Sequence, residues 1–263
     1  MKKRQLLLTA ALTLAFAAAS AQDHTIKIAV TNGPHAQIAE VAKKVAAERE
    51  GLKLQIVEFA DYIQPNAALD AGDVQANSYQ HLPFLQSQIQ ARGYKISPVG
   101  YTVTAPLGFY SKKFKSLAEL PKGARIGIQN DPSNSGRALN LLAKNGLIKL
   151  KPTAGISASL ADIAENPRGL QIIPVEAAQL PRTLDDLDAS AINTNFAVQA
   201  GLVPTRDAIA IEESRANPYA NLLAVRSADK DQAWVPKLLR AFQSPEVRAF
   251  VEGQLKGSLI PAF

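Results

Sequence analysis

Cysteine is absent from the 263 residues, which excludes disulfides, thiolate metal sites, a cysteine nucleophile and lipidation on a cysteine thiol. Stability has to come from an ordinary packed core. Histidine occurs only at His24, His35 and His81, and none of these stands at a spacing common among metal ligands, so no metal site is expected. No segment approaches the roughly 20 uninterrupted apolar residues of a membrane-spanning helix. A nucleophile elbow, a P-loop, a Gly-rich dinucleotide turn and paired zinc ligands are all missing, so no catalytic residue and no cofactor is expected. Lys and Arg are scattered among Asp and Glu rather than clustered, which removes the electrostatic footprint of a nucleic-acid binder.

What the chain does have begins at its N-terminus. Lys2, Lys3 and Arg4 precede an apolar stretch from Leu6 to Ala19 and then Ala19-Ser20-Ala21, the three-part layout of a cleavable secretory signal over residues 1–21. Removing 21 of 263 residues leaves 242, enough for one large domain or two small ones. It also takes away three basic and no acidic residues, so the formal net charge falls from +6 to +3.

The hydrophobic period then alternates between strand and helix. Thr25–Thr31 is rich in β-branched residues, Ile38, Val41, Ala42 and Val45 recur at helical spacing, and Lys53–Phe59 resumes a strand, so the opening reads as a βαβ unit with parallel strands. A short helix near Asn66–Asp70, a strand around Val74–Asn77 and a helix at Pro83–Arg92 follow. The stretch Tyr101–Tyr110, broken by Pro106 and Gly108, reads as a strand passing from one domain to another. A second α/β series opens with capping-box spacing at Ser116-Leu117-Ala118-Glu119. Strands at Arg125–Gln129, Leu170–Val175 and Ala189–Asn193 and a helix at Ser135–Lys144 continue it. Ile209–Glu212 and Leu222–Val225 read as extended, and helices at Lys230–Phe242 and from Ser244-Pro245-Glu246 onward finish the chain. Two α/β units joined by extended segments imply a hinged pair with a cleft between them.

Clefts in open α/β sheets form beyond the carboxyl ends of strands. Tyr79, His81 and Phe84 crowd such a strand end, where they either wall a pocket for an apolar group or serve as ordinary core. Asp131-Pro132-Ser133-Asn134-Ser135-Gly136-Arg137 follows a strand and opens a helix, so free amides and Arg137 can hold a carboxylate there; the alternative is a solvated arginine beside a capped helix. Asn193, at a strand end, and Asn221, before one, offer an amide to a carboxylate and a carbonyl oxygen to an ammonium, or act as turn residues.

Phe59-Ala60-Asp61-Tyr62-Ile63-Gln64-Pro65-Asn66, Asn77 to Phe84, Arg92-Gly93-Tyr94-Lys95, Tyr110-Ser111-Lys112-Lys113, Asn130 to Arg137, Glu176 to Arg182 and Pro218-Tyr219-Ala220-Asn221, in this order, resemble the methionine-binding proteins of ABC importers, the NlpA/MetQ lipoprotein family. The resemblance implies a type II periplasmic binding fold with two crossover strands, lobe 1 formed by 22–106 and 218–263, lobe 2 by 107–217. It implies that Tyr62, Tyr79, His81 and Phe84 wall a thioether side chain, that Arg137 holds the carboxylate, and that Asn193 and Asn221 hold the amino-acid head group. It further implies a single chain that hands its amino acid to a membrane permease. The family carries a lipidated cysteine after its signal, and this chain has none, so the expectation is a freely diffusing protein of the periplasm or another extracytoplasmic space, the alternative being a retained signal that acts as an anchor. The rival readings are a receptor for a methionine-containing dipeptide or another apolar amino acid, an exported hydrolase using His81 as a base, and an adhesive surface protein.

Overall fold

The computed structural model describes residues 25–263 except Ala216 and Lys256; the expected signal over 1–21 and His24 lie outside the described residues. The opening βαβ unit forms from β1 (Ile26–Thr31), α1 (Pro34–Glu50) and β2 (Leu54–Phe59), with β1 and β2 parallel and paired from Ile26 with Leu54 to Thr31 with Phe59. Helix α1 buries Ile38, Ala42 and Val45, the stripe expected of an amphipathic helix. It stops at Gly51, where a φ of 60° lets the Gly51 amide bond back to the Ala46 carbonyl.

The remaining elements are α2 (Gln64–Ala71), β3 (Ala76–His81), α3 (Leu82–Arg92), β4 (Ile96–Thr104), β5 (Gly108–Tyr110), β6 (Arg125–Gln129), α4 (Pro132–Lys144) and a small hairpin of β7 (Lys149–Leu150) and β8 (Ile163–Glu165). Then come β9 (Gln171–Val175), β10 (Ala189–Ile192), α5 (Thr194–Gln199), α6 (Pro204–Asp207), β11 (Ala210–Ile211), β12 (Ala220–Arg226), α7 (Trp234–Phe242), α8 (Pro245–Gln254) and β13 (Ile260–Pro261).

Among the described residues the strands build two larger sheets, ordered β13-β4-β12-β3-β1-β2 and β11-β5-β10-β6-β9. Each contains a parallel trio centred on the first strand of its series, β1 or β6. Each trio is extended by an antiparallel strand that arrives from the other sheet: β12 pairs with β3, and β5 pairs with β10. The chain crosses twice, through 105–107 between β4 and β5 and through 212–219 between β11 and β12. Each sheet has its own apolar core, one around Ile28, Leu223 and Phe242, the other around Phe109, Ile126 and Leu139.

Three expectations are corrected. Ser116–Glu119 does not open an α-helix with a capping box; Leu117–Glu119 is a single 3₁₀ turn, in which the Glu119 carboxylate accepts from the Lys115 amide and the Ser116 hydroxyl. Leu120 precedes Pro121, whose ring disfavours the helical conformation at residue 120, and Leu120 is extended at ψ 130°. The strand expected over Val74–Asn77 runs instead from Ala76 to His81, because β12 supplies ladder partners along it. The helix expected from Lys230 starts only at Trp234, which leaves Pro236 in the first turn, where its missing amide is harmless.

Gly136 fixes the path of the segment after α4. A Cβ there would lie 2.8 Å from both the Ile156 carbonyl oxygen and the Ala158 amide nitrogen, and backbone atoms cannot swing aside as a side-chain tip can. Gly136→Ala is expected to cost about 1–3 kcal/mol through overpacking, read as a lowered urea midpoint with an unchanged slope. A midpoint equal to wild type would show that 155–158 yields freely.

Candidate ligand-binding site

The seven residues singled out in the sequence meet in one cavity between the two sheets. One side carries Tyr62 after β2, Tyr79 and His81 on β3, Phe84 in the first turn of α3, and Asn221 on β12; the other carries Arg137 from α4 and Asn193 from the end of β10. The walls touch directly. The Tyr62 hydroxyl donates to Asn195 Oδ1, His81 Nε2 lies 3.2 Å from Asn134 Oδ1, and Gln199 Nε2 donates to the Asn32 carbonyl at 2.9 Å. Such contacts between elements of opposite sheets define a closed arrangement.

A bulge aims part of the wall. Gln80 pairs with Leu222 and Ser78 with Leu223, so Tyr79 has no partner on β12. The extra residue breaks the strict alternation of the strand, the usual way a bulge redirects side chains beside a site. Tyr79, Tyr62 and Phe84 then pack with Phe196 of α5: the Tyr62 ring centroid lies 4.9 Å from Phe196, 5.9 Å from Phe84 and 6.0 Å from Tyr79. The two readings left open for the aromatics therefore both hold, since the same rings line the cavity and form a third apolar cluster between the sheets. Burial pushes the Tyr62 and Tyr79 phenols well above their ordinary pKa, so both remain neutral donors, Tyr79 to the Tyr62 carbonyl at 3.0 Å.

His81 caps α3: its Nδ1 accepts the Phe84 amide at 3.1 Å, which leaves the proton on Nε2, facing Asn134. Burial, aided by the nearby Arg137 charge, lowers its pKa to about 3 against the opposing bond to Asn134, so the ring is neutral. Asn134 is itself held by Asp131, which accepts from its backbone amide and from Nδ2, both at 2.9 Å.

Arg137 is not a solvated arginine beside a capped helix; it is 3% exposed. Its Nε and Nη2 donate to the Glu212 carboxylate, Nη2 also reaches the Ala105 carbonyl at 2.7 Å, and its guanidinium carbon sits 4.5 Å from the centre of the Tyr219 ring. Only Nη1 has no hydrogen bond among the described residues, so the free end of the guanidinium is one nitrogen rather than a two-nitrogen fork. Asn193 is engaged on both atoms, Oδ1 by Gln129 at 2.7 Å and Nδ2 with Asn134 at 3.1 Å. Asn221 stands opposite His81 in the ladder and donates to the Tyr79 carbonyl at 3.3 Å, leaving Oδ1 open.

His35, Gln80, Ala105, Asn134, Thr194 and Asn195 also line the cavity and were not singled out as site residues. Asn134 lies within Asn130–Arg137 and Gln80 within Asn77–Phe84, segments read from the sequence. His35 opens α1 directly after β1, a strand end of the same kind as the one that drew attention to His81.

A family model of the NlpA lipoproteins matches residues 26–263. The chain belongs to the NlpA lipoprotein family. Among NlpA-family relatives, the D-methionine-binding lipoprotein MetQ of Salmonella typhimurium is 47% identical over 239 residues, 88% of each chain. Outer membrane lipoprotein 3 of Mannheimia haemolytica is 47% identical over 235 residues, 89% of each. A nutrient-binding protein of Burkholderia cenocepacia, solved bound to methionine, superposes with a TM-score of 0.88 at 55% identity, covering 90% of this chain and all of that one. The architecture is accordingly the two-lobed type II periplasmic binding fold.

The comparisons overturn one expectation. The family and the Salmonella and Mannheimia relatives are named lipoproteins, proteins held at a membrane by a lipid, which conflicts with a freely diffusing protein lacking a lipobox cysteine. The reading rested on one missing residue type, and the count of a residue type constrains covalent chemistry on its side chain without deciding the surface at which a protein is held.

Proposed function

We propose that this NlpA-family protein is the substrate-binding component of an ABC importer and captures methionine, as the free zwitterion, between a lobe of residues 22–106 and 218–263 and a lobe of residues 107–217. The observation that carries the reading is the distribution of unused groups in the closed cavity. Rings of Tyr62, Tyr79 and Phe84 fill one part, while Arg137 Nη1 and Asn221 Oδ1 have no partner among the described residues. Nη1 takes the ligand carboxylate and Asn221 Oδ1 its ammonium; Asn193, held by Gln129 and Asn134, and His81 complete the polar rim. The thioether lies among the rings, where sulfur–aromatic contact contributes about 0.3–1.5 kcal/mol. Two relatives support the choice: a D-methionine-binding lipoprotein and a nutrient-binding protein solved with methionine bound.

Closure around the ligand follows from the two crossings at 105–107 and 212–219, short segments able to absorb a hinge rotation. The closed protein, acting as a single chain, presents both lobes to the permease. A hydrolytic role for His81 is disfavoured, because its Nδ1 is occupied by the Phe84 amide and its Nε2–H faces Asn134. The activity is binding and delivery.

Isothermal titration with L- and D-methionine, with mass spectrometry of any ligand carried through purification, tests the proposal. Saturable heat with either enantiomer is expected; a co-purified methionine-containing dipeptide together with silence toward free methionine would replace it. Asn221→Ala is expected to weaken methionine binding by roughly 1.5–3 kcal/mol, the range for a hydrogen bond to a charged group, with little change in melting temperature. A collapsed melting temperature would instead assign Asn221 to holding the Tyr79 backbone.

A further inference from the structure

Asn195 follows Thr194 in the first turn of α5, is 3% exposed and lines the cavity. Its Oδ1 accepts from the Tyr62 hydroxyl of the opposite lobe, which fixes which way the amide points. Its Nδ2 is then a buried donor with no partner among the described residues. A buried unpaired donor is destabilising because it has given up its water, and native structures rarely leave one without a role. The Tyr62 ring to which this amide is tied is the centre of the aromatic cluster, within 6.0 Å of Tyr79, Phe84 and Phe196. The unpaired donor therefore stands on a side chain one hydrogen bond away from the ring cluster that lines the cavity.

We infer that Asn195 is a specificity residue: its Nδ2 donates to an acceptor on the ligand side chain, so the cavity selects an amino acid whose apolar tail carries a lone pair near its end over a purely hydrocarbon tail of equal length. The inference rests on the methionine reading and deepens it. Thioether sulfur is a weak acceptor; a methylene in the same place accepts nothing and leaves the amide unpaired on closure.

The test compares methionine with norleucine, which replaces the sulfur by a methylene, in wild type and in the double variant Tyr62→Phe/Asn195→Leu, which removes the hydroxyl and the amide together and leaves no orphaned partner. The methionine-to-norleucine affinity ratio is expected to fall at least fivefold in the double variant, with methionine losing more than norleucine. In parallel, the Asn195 side-chain amide of the ¹⁵N-labelled wild-type protein is expected to resonate at different shifts in the methionine and norleucine complexes, a reading that does not depend on the variant folding. An unchanged ratio, or identical Asn195 amide shifts in the two complexes, overturns the inference while methionine binding stands. A wild-type protein that binds neither amino acid overturns the methionine reading and this one with it.

Discussion

Arg137→Ala is expected to weaken methionine binding by at least about 1.5–3 kcal/mol, the range for losing a hydrogen bond to a charged group, which is roughly a 10- to 150-fold rise in Kd. The structure adds a second effect that a surface arginine would not show. Arg137 is the counter-ion of Glu212, whose side chain is 11% exposed, and Glu212 in turn accepts from the Leu107 amide at 2.9 Å and from Asn217 Nδ2 at 3.2 Å. The carboxylate thus grips both crossing segments, and Arg137 Nη2 holds the Ala105 carbonyl of the first. Removing the guanidinium strands a largely buried charge, for which about 3–5 kcal/mol of destabilisation is typical. A fall in melting temperature should accompany the loss of affinity. The variant Arg137→Ala/Glu212→Ala separates the two effects: with no carboxylate left unpaired it should regain much of the melting temperature, but not the affinity. Titration calorimetry and thermal melts on the three proteins decide the matter. Unchanged methionine affinity in Arg137→Ala would remove the carboxylate assignment.

Acid is expected to destabilise the protein well above the carboxylate range. His35 and His81 are buried and neutral, with pKa lowered to about 4 and about 3, in both cases chiefly by desolvation. In the unfolded chain each returns to about 6.5. Between those values the unfolded state binds the proton and the folded state does not, so stability rises with pH across the window. The contribution is fully present above pH 6.5 and is lost as pH falls toward the folded pKa. At a cost of 1.36 kcal/mol for each pKa step, the loss by pH 4 is on the order of 3 kcal/mol for each histidine. Melting temperature should therefore drop by about 2–4 °C for every kcal/mol, given the size of the protein. His35→Gln should flatten part of this slope, because it removes one of the two protonation sites without removing the polar side chain. A melting temperature constant from pH 7.5 to 5 would mean that water reaches both rings.

The family resemblance and the element order were legible because they depend on local pattern. The β-branched run of β1, the spacing of Ile38, Ala42 and Val45 in α1, and the cap at Ser244, which accepts the Val247 amide at 3.3 Å, are readable within a dozen residues of chain. The site was half legible. Tyr79, His81, Phe84 and Arg137 stand at strand ends and helix starts, where cleft residues fall in open sheets. Other residues carried no local mark. Asn195 reads as one of two amides flanking Thr194 until Tyr62, 133 positions away, is seen to claim its oxygen.

Sequence by itself determined the two α/β series, the positions of most helices and strands, and the residue types that could hold a zwitterion, because backbone preference and hydrophobic period act over short stretches of chain. Only the tertiary structure decided that β12 returns antiparallel beside β3 and sets Asn221 opposite His81. It alone decided that Glu212 occupies two nitrogens of Arg137 and leaves one, and that Tyr79 leaves the ladder at a bulge. These outcomes rest on contacts between segments up to about half the chain apart, where burial leaves a charged or polar group no water and makes whichever partner the fold brings near the one that fixes it.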